Sequence, residues 1–259
     1  MPADPARHTV TPARGALRPI LAMAVSHYAT DRQRVAVPQV EAQVVVRFGP
    51  SIPGGVDIHA MGARSRVHRK LIRGGHRAVL ARLQPGTYET VLGVSASELS
   101  GRTVPLEALW RPASAQRLRE QLAEAPDARA AGGVLEAAVM ARMAGGKVAG
   151  AVPAFLPIGL ERLQVTSVGT VARELGISER HLRRVLHEVL GVGPKTYARL
   201  KRFEQAVRAA QSGEDINWSA IAADAGYYDQ AHLIADFQAM AGCTPRSLLA
   251  ELRETSVAS

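Results

Sequence analysis

The chain predicts an α+β protein. An antiparallel β-rich N-terminal domain with following helices precedes an all-α C-terminal domain of two helix-turn-helix units joined by a linker helix. Three observations carry this expectation. Short β-like runs closed by Gly or Pro occupy residues 18–104. From Leu106 onward apolar residues recur at helical spacing within Ala/Glu/Arg-rich stretches. Two similar segments, 50 residues apart, each repeat a small residue followed four positions later by glycine.

The strand candidates are Ile20 to Val25, Val44 to Phe48 and Val79 to Leu83, punctuated by Gly49-Pro50, Pro53-Gly54-Gly55, Gly74-Gly75 and Pro85-Gly86. Runs this short and regular suggest an antiparallel barrel or sandwich. Helices are expected from about residue 106, with Leu118, Leu122, Leu135, Val139 and Met143 on their apolar sides. Those residues suit either an intramolecular core or a dimer face. Gly145-Gly146 and Gly150 then break the chain, so the domains are placed at 1–146 and 147–259.

Composition narrows the class. Of 259 residues, 47% are apolar and 21% charged, which is too apolar for a disordered chain. The single cysteine, Cys243, excludes an intramolecular disulfide framework and a cysteine-rich zinc site, and fits a reducing compartment. No apolar run approaches the roughly 18 residues that cross a bilayer. Met1 to Leu17 lacks the continuous apolar stretch of a secretion signal, so a cytoplasmic location without membrane association is expected.

The net charge of +9 favours a polyanionic partner. Its distribution is uneven. Residues from 161 onward hold 12 Lys+Arg and 12 Asp+Glu, whereas the first 160 hold 20 and 11. Net charge therefore does not assign nucleic-acid binding to the C-terminal domain; local pattern does.

In the first repeated segment, Ala172 and Gly176 supply the small crossing residue and the turn of a helix-turn-helix. Ser178 caps the second helix, whose exposed face carries Arg180, Arg183 and Arg184. Arginine suits both guanine edges and phosphates, so Arg180 and one of the other two are expected on bases and the third on phosphate. A solvated basic face is the plainer alternative. The second segment repeats the pair as Ala222 and Gly226, with Asp229 as cap and Leu233, Phe237 and Met240 as buried stripe. Between the units, a helix from Pro194 to Gln211 presents Lys195, Arg199 and Arg202 as a basic stripe, either solvated or near the DNA backbone.

Residues from about Ala151 to Leu252 resemble the DNA-binding domain of AraC/XylS-type bacterial transcriptional regulators. The likeness rests on Ala172/Gly176, on Gly191, Pro194 and Tyr197, and on the run Gly226-Tyr227-Tyr228-Asp229-Gln230-Ala231-His232-Leu233 followed by Phe237, Gly242, Thr244 and Pro245. The resemblance implies seven helices, with two recognition helices entering successive major grooves of double-stranded DNA. The chain departs from the pattern in its second unit. Glu214 to Arg246 holds one basic and five acidic residues, and Ala235 stands where many members carry a basic residue. Arg173 to Arg208 holds nine basic and four acidic residues, so the first unit and linker helix are expected to dominate affinity, with Gln230 and His232 contributing in the second.

Residues from about Ala16 to Trp110 resemble, less specifically, the sensing domains of one AraC-type subgroup, through Arg82 to Tyr88, Val91-Leu92-Gly93 and Val104-Pro105-Leu106. That implies a cupin-like β-domain. The acid-free stretch from Arg64 to Arg82 reads first as a solvated hairpin face, and second as a pocket or surface for an acidic effector or as extra contact with the DNA backbone. His59, His68 and His76 lack the paired spacing of a metal-binding cupin, so no metal or cofactor is expected. No catalytic nucleophile motif is present. The reading is a transcriptional regulator, not an enzyme, with a possible small-molecule effector, a possible homodimer, and RNA polymerase as partner if it activates. The alternatives are an enzyme domain with a DNA-targeting tail and a constitutive DNA binder.

Overall fold

A computed structural model describes residues 19–145, 152–213 and 215–257. The strands are β1 (Ile20–Tyr28), β2 (Arg32–Ala36), β3 (Gln43–Phe48), β4 (Val56–Met61), β5 (His68–Ile72), β6 (His76–Leu83) and β7 (Thr103–Pro105). Five of them form an antiparallel sheet in the order β1-β6-β3-β4-β7, and β2 pairs with β5 in a separate two-stranded sheet. Strand alternation gives the large sheet two unlike faces. Val44 lies between Ala81 and Ala60, and Val46 between Val79 and Ile58, so these rows bury one face completely. The intervening residues Val45, Arg47, Asp57, His59, Leu80 and Arg82 turn to the other face.

Four helices follow: α1 (Tyr88–Leu92), α2 (Ala96–Leu99), α3 (Pro112–Ala123) and α4 (Ala128–Gly145). Leu118, Leu122, Leu135 and Val139 are at most 2% exposed, which assigns them to the intramolecular core rather than to a dimer face. Gly132 lets α4 lie on the sheet, because a Cβ there would sit 2.9 Å from the Met23 sulfur. Two expectations are corrected here. Helix begins at Tyr88, not near 106, because Thr87 and Ser95 start two short helices inside the β-region. The Arg64–Arg82 stretch is not a hairpin, because β5 pairs with β2 and β6 pairs with β1 and β3. The expected boundary between residues 146 and 147 lies outside the described residues, as does Met1 to Leu17.

The C-terminal part contains α5 (Leu156–Arg162), α6 (Val168–Glu174), α7 (Glu179–Leu190), α8 (Pro194–Ser212), α9 (Trp218–Asp224), α10 (Gln230–Ala241) and α11 (Pro245–Val257), the seven helices the resemblance implied. Helix α8 is the spine. Leu200, Phe203, Ala206, Val207 and Ala210 are buried along it, and Phe203 meets Phe237 of α10 with ring centroids 4.5 Å apart. Val35, Val40 and Ala63 of the N-terminal part join this core. The two domains therefore share packed apolar surface instead of hanging from a linker alone.

Candidate nucleic-acid interface

Each helix-turn-helix unit is built from local interactions. In the first, Ser167 caps α6 by accepting from the Thr170 amide. The helix ends in paired hydrogen bonds, Ile177 N to Ala172 O at 3.0 Å and Gly176 N to Arg173 O at 3.1 Å, which place Gly176 at φ 67. This is a Schellman ending, and it requires a residue at ease in the left-handed region. Ser178 then caps α7, accepting from the His181 amide. The second unit repeats the scheme. Asn217 caps α9, Tyr227 N reaches Ala222 O at 2.9 Å, Gly226 N reaches Ala223 O at 3.0 Å with φ 78, and Asp229 caps α10. Ala172 and Ala222 are at most 2% exposed at the helix crossings, as the sequence required.

The outward face of α7 carries Arg180, Arg183 and Arg184, all exposed. Arg183 pairs with Glu179, and Arg184 with Glu188 at 2.9 Å and with the His181 ring at 3.1 Å. These i,i+4 pairs are solvent-facing and weak, so they hold the guanidiniums in place without neutralising them for a stronger anion.

The linker-helix stripe divides. Lys195 is exposed at the start of α8. Arg199 reaches across to Asp236 on α10, Nε to Oδ1 at 2.8 Å, and the Arg202 guanidinium lies over the Tyr227 ring, 5.5 Å from its centroid. Asp236 is 7% exposed, a buried carboxylate that the sequence reading did not single out. Burial, with Asp236 next, pushes the Tyr227 hydroxyl well above the usual tyrosine range and keeps it neutral. Arg199 and Arg202 thus join α8 to the second unit. Gln230 is exposed at the start of α10 and accepts from the Ser219 hydroxyl at 2.8 Å; exposed His232 meets the Tyr227 ring edge-on at 5.2 Å.

The N-terminal domain touches both recognition helices at their C-terminal ends. Gly191, which ends α7, packs on α2 so closely that a Cβ would lie 2.3 Å from the Ala96 carbonyl oxygen. At the end of α10, Val67 N donates to Met240 O at 2.8 Å and Arg69 Nη1 to Ala241 O at 2.9 Å. Lys201 of α8 bridges Glu41 at 3.1 Å and Glu204 at 2.9 Å. Burial opposes its charge, but the two carboxylates outweigh that and hold its ammonium pKa above the ordinary lysine value.

Between the two sheets, with Val207 and Leu252 of the C-terminal domain on one wall, lies a cavity of 1220 Å³. Arg34, Arg47, Arg64, Lys70 and Arg82 line it, with Asp57 and Glu204 as acidic partners. Burial first, and then neighbouring cations, depresses Arg64 and Lys70 below their ordinary values and His59 below the usual histidine range. The cations repel one another, and a bound anion would relieve that. Arg64, Arg77 and Arg82 are half-buried on the cavity wall, whereas Arg66, Arg69, Lys70 and Arg73 stay exposed, so the solvated-face reading holds for the outer part of the stretch. Among the described residues no group of three or more His, Cys, Asp and Glu side chains is placed to hold a metal ion, and no helix is long and apolar enough to cross a membrane.

Residues 171–251 match the family model described as a helix-turn-helix domain. Curated proteins give no significant match. Among solved structures, ToxT from Vibrio cholerae O395 is similar over 89% of this chain and 97% of its own, at 10% identity and a TM-score of 0.46. Unsaturated fatty acid-bound wild-type ToxT from V. cholerae strain SCE256 is similar over 88% and 94%, at 10% identity and 0.42. The transcriptional regulator CdpR from Pseudomonas aeruginosa is similar over 68% of this chain and 46% of its own, at 22% identity and 0.33. With the seven helices, the two Schellman turns and the matched segment in agreement, the chain carries at its C-terminus a helix-turn-helix domain of the AraC type.

Proposed function

We propose that the protein is a cytoplasmic, sequence-specific DNA-binding transcriptional regulator whose helices α7 and α10 enter successive major grooves, about 34 Å apart on one face of the duplex. Arg180 and one of Arg183 and Arg184 read bases, and the other holds phosphate, as does Lys195. Gln230, with His232 beside it, reads bases from the second unit. Arg199 and Arg202 act by seating α10 against α8. The remaining partners in this reading are an acidic small-molecule effector, RNA polymerase where the protein activates, and a second copy of the chain. No catalytic role is assigned.

The observation that carries regulation is the grip of the N-terminal domain on the C-terminal ends of both recognition helices, through Gly191 and through Met240 and Ala241. An anion drawn between the β2–β5 sheet and the large sheet changes the position of β5, and β5 carries Arg69. Occupancy then biases the relative setting of α7 and α10, provided the ligand has different affinity for the two arrangements.

The test is binding of the full chain to duplexes selected from a random pool, against scrambled competitor at about 0.15 M salt. Selective binding that falls more with Arg183→Ala than with Gln230→Ala supports the reading. No preference for any duplex rejects it. A larger loss with Gln230→Ala reverses the order of the two units. A thermal-shift screen of small carboxylates and phosphates separates an effector-responsive regulator from a constitutive binder.

A further inference from the structure

The two recognition helices correspond residue by residue. Ser178 and Asp229 cap them, Gly191 and Gly242 end them in the left-handed region, and each is 12 residues long. A constant offset of 51 therefore relates them, and the buried stripes agree: Leu182 with Leu233 and Leu186 with Phe237. On the outward face the chemistry is opposite. Where α7 has Arg180, Arg183 and Arg184, α10 has Ala231, Ile234 and Ala235, all exposed. No acidic residue, lysine or arginine interrupts this outward face between Gln230 and Gln238, since Asp236 is turned inward to Arg199; exposed His232 borders it with its ring against Tyr227. Ile234 is left 36% exposed there, outside the core that Leu233, Phe237 and Met240 fill.

A face of methyl groups flanked by amides matches one pattern on the major-groove edge. The thymine C5-methyl is the apolar group there, and adenine presents the N6 donor beside the N7 acceptor that an amide pairs with in two bonds. Guanine offers two acceptors and calls for a side chain such as arginine, which this face lacks. Gln230 is prepared for the adenine role. The Ser219 hydroxyl donates to its Oε1 at 2.8 Å, which fixes the amide while leaving both N–H groups and a second oxygen lone pair available.

We infer that α10 reads an A·T-rich half-site, with Ala231, Ile234 and Ala235 against thymine methyl groups and Gln230 on an adenine, while α7 reads a guanine-containing half-site through its arginines. This specificity rests on the DNA-binding reading above. The operator is accordingly asymmetric, and the two halves differ in what weakens them: loss of cations on one side, loss of methyl groups on the other.

The experiment uses the full chain and a duplex it selects from a random pool. Ala231→Arg, at an exposed position, identifies the half read by α10 by shifting selection toward guanine at one position. Thymines in that half are then replaced by deoxyuridine, which removes only the methyl. Affinity is expected to fall about fourfold per contacted methyl, the effect of burying one methyl-sized group. The same replacement in the other half should change affinity by less than about twofold, since arginine reads guanine. Ile234→Ala should reduce the discrimination between thymine and deoxyuridine. Equal affinity for both duplexes, with binding still dependent on Arg183, overturns the methyl reading and leaves the regulator reading intact. An unchanged selected sequence for Ala231→Arg overturns it as well. Absence of any selective duplex overturns both readings.

Discussion

Arg69 of β5 and Glu251 of α11, 182 positions apart in the chain, form a two-pronged ion pair, Nε to Oε2 at 2.6 Å and Nη2 to Oε1 at 3.1 Å. The same guanidinium donates to the Ala241 carbonyl and contacts the Cys243 sulfur at 3.3 Å. One N-terminal side chain thus ties together the end of α10, the following turn and α11.

Arg69→Ala removes these contacts from a half-buried site, so the loss of stability should be about 1 kcal/mol, or roughly 2–4 °C in Tm for a domain of this size. The more specific readout is amide exchange. The Val67 amide, bonded to Met240 O, should exchange faster, together with the last turn of α10. Unchanged protection at Val67 would show that the pair does not hold the domains together.

Arg199→Ala leaves the Asp236 carboxylate buried without its cation. Full burial of such an orphan costs about 3–5 kcal/mol, and because Arg199 itself is 42% exposed the expected loss is nearer 1–2 kcal/mol. Asp236→Asn should restore part of it in the double variant. If urea unfolding is unaffected and only DNA affinity falls, Arg199 is a phosphate contact instead of a seat for α10.

Two glycines with similar positive φ should behave differently. At Gly176, where nothing lies within 4 Å of an added Cβ, alanine bears only the backbone cost of about 1–2 kcal/mol. At Gly191 the same cost adds to a collision with the Ala96 backbone, so Gly191→Ala should also separate α2 from α7. Both variants are compared by unfolding and by exchange in α2; equal effects would refute the close packing.

Binding of an anion in the cavity should strengthen as pH falls through the ordinary histidine value and below it. Burial, with Arg47 and Lys70 adding and Asp57 opposing, holds His59 below its ordinary value of 6.5 in the folded protein. A depressed folded value means that stability is complete above 6.5 and is lost as pH drops and the unfolded chain takes up the proton. A bound dicarboxylate raises the His59 value, so binding takes up protons and tightens at lower pH. Calorimetry at two pH values in buffers of different ionisation heat measures this uptake. His59→Gln should flatten the slope, and an unchanged slope assigns the proton elsewhere.

Some of this was legible in the residues because the interactions are short in sequence. Ser178, Asp229, Gly176 and Gly226 act within their own turns, and Ile20 to Val25, Val44 to Phe48 and Val79 to Leu83 are apolar enough to read as strands. The strand β4 alternates Val56-Asp57-Ile58-His59-Ala60-Met61, a period-two signal that was available. The strands β2 and β5 carry Arg32-Gln33-Arg34 and His68-Arg69-Lys70, with no apolar alternation to mark them, because they pair as a narrow two-stranded sheet beside a polar cavity and the other domain.

The amino-acid order alone determined the tandem helix-turn-helix units, their caps and turns, and the outward arginines of α7, since each depends on neighbours within about five positions. Only the tertiary structure decided that Arg199 and Arg202 are engaged with Asp236 and Tyr227, that the arginine-rich segment lines a cavity, and that one domain holds both recognition helices by their ends. Those outcomes depend on which distant side chain meets each cation, and a guanidinium free in solution and one seated on a buried carboxylate carry the same letter in the chain.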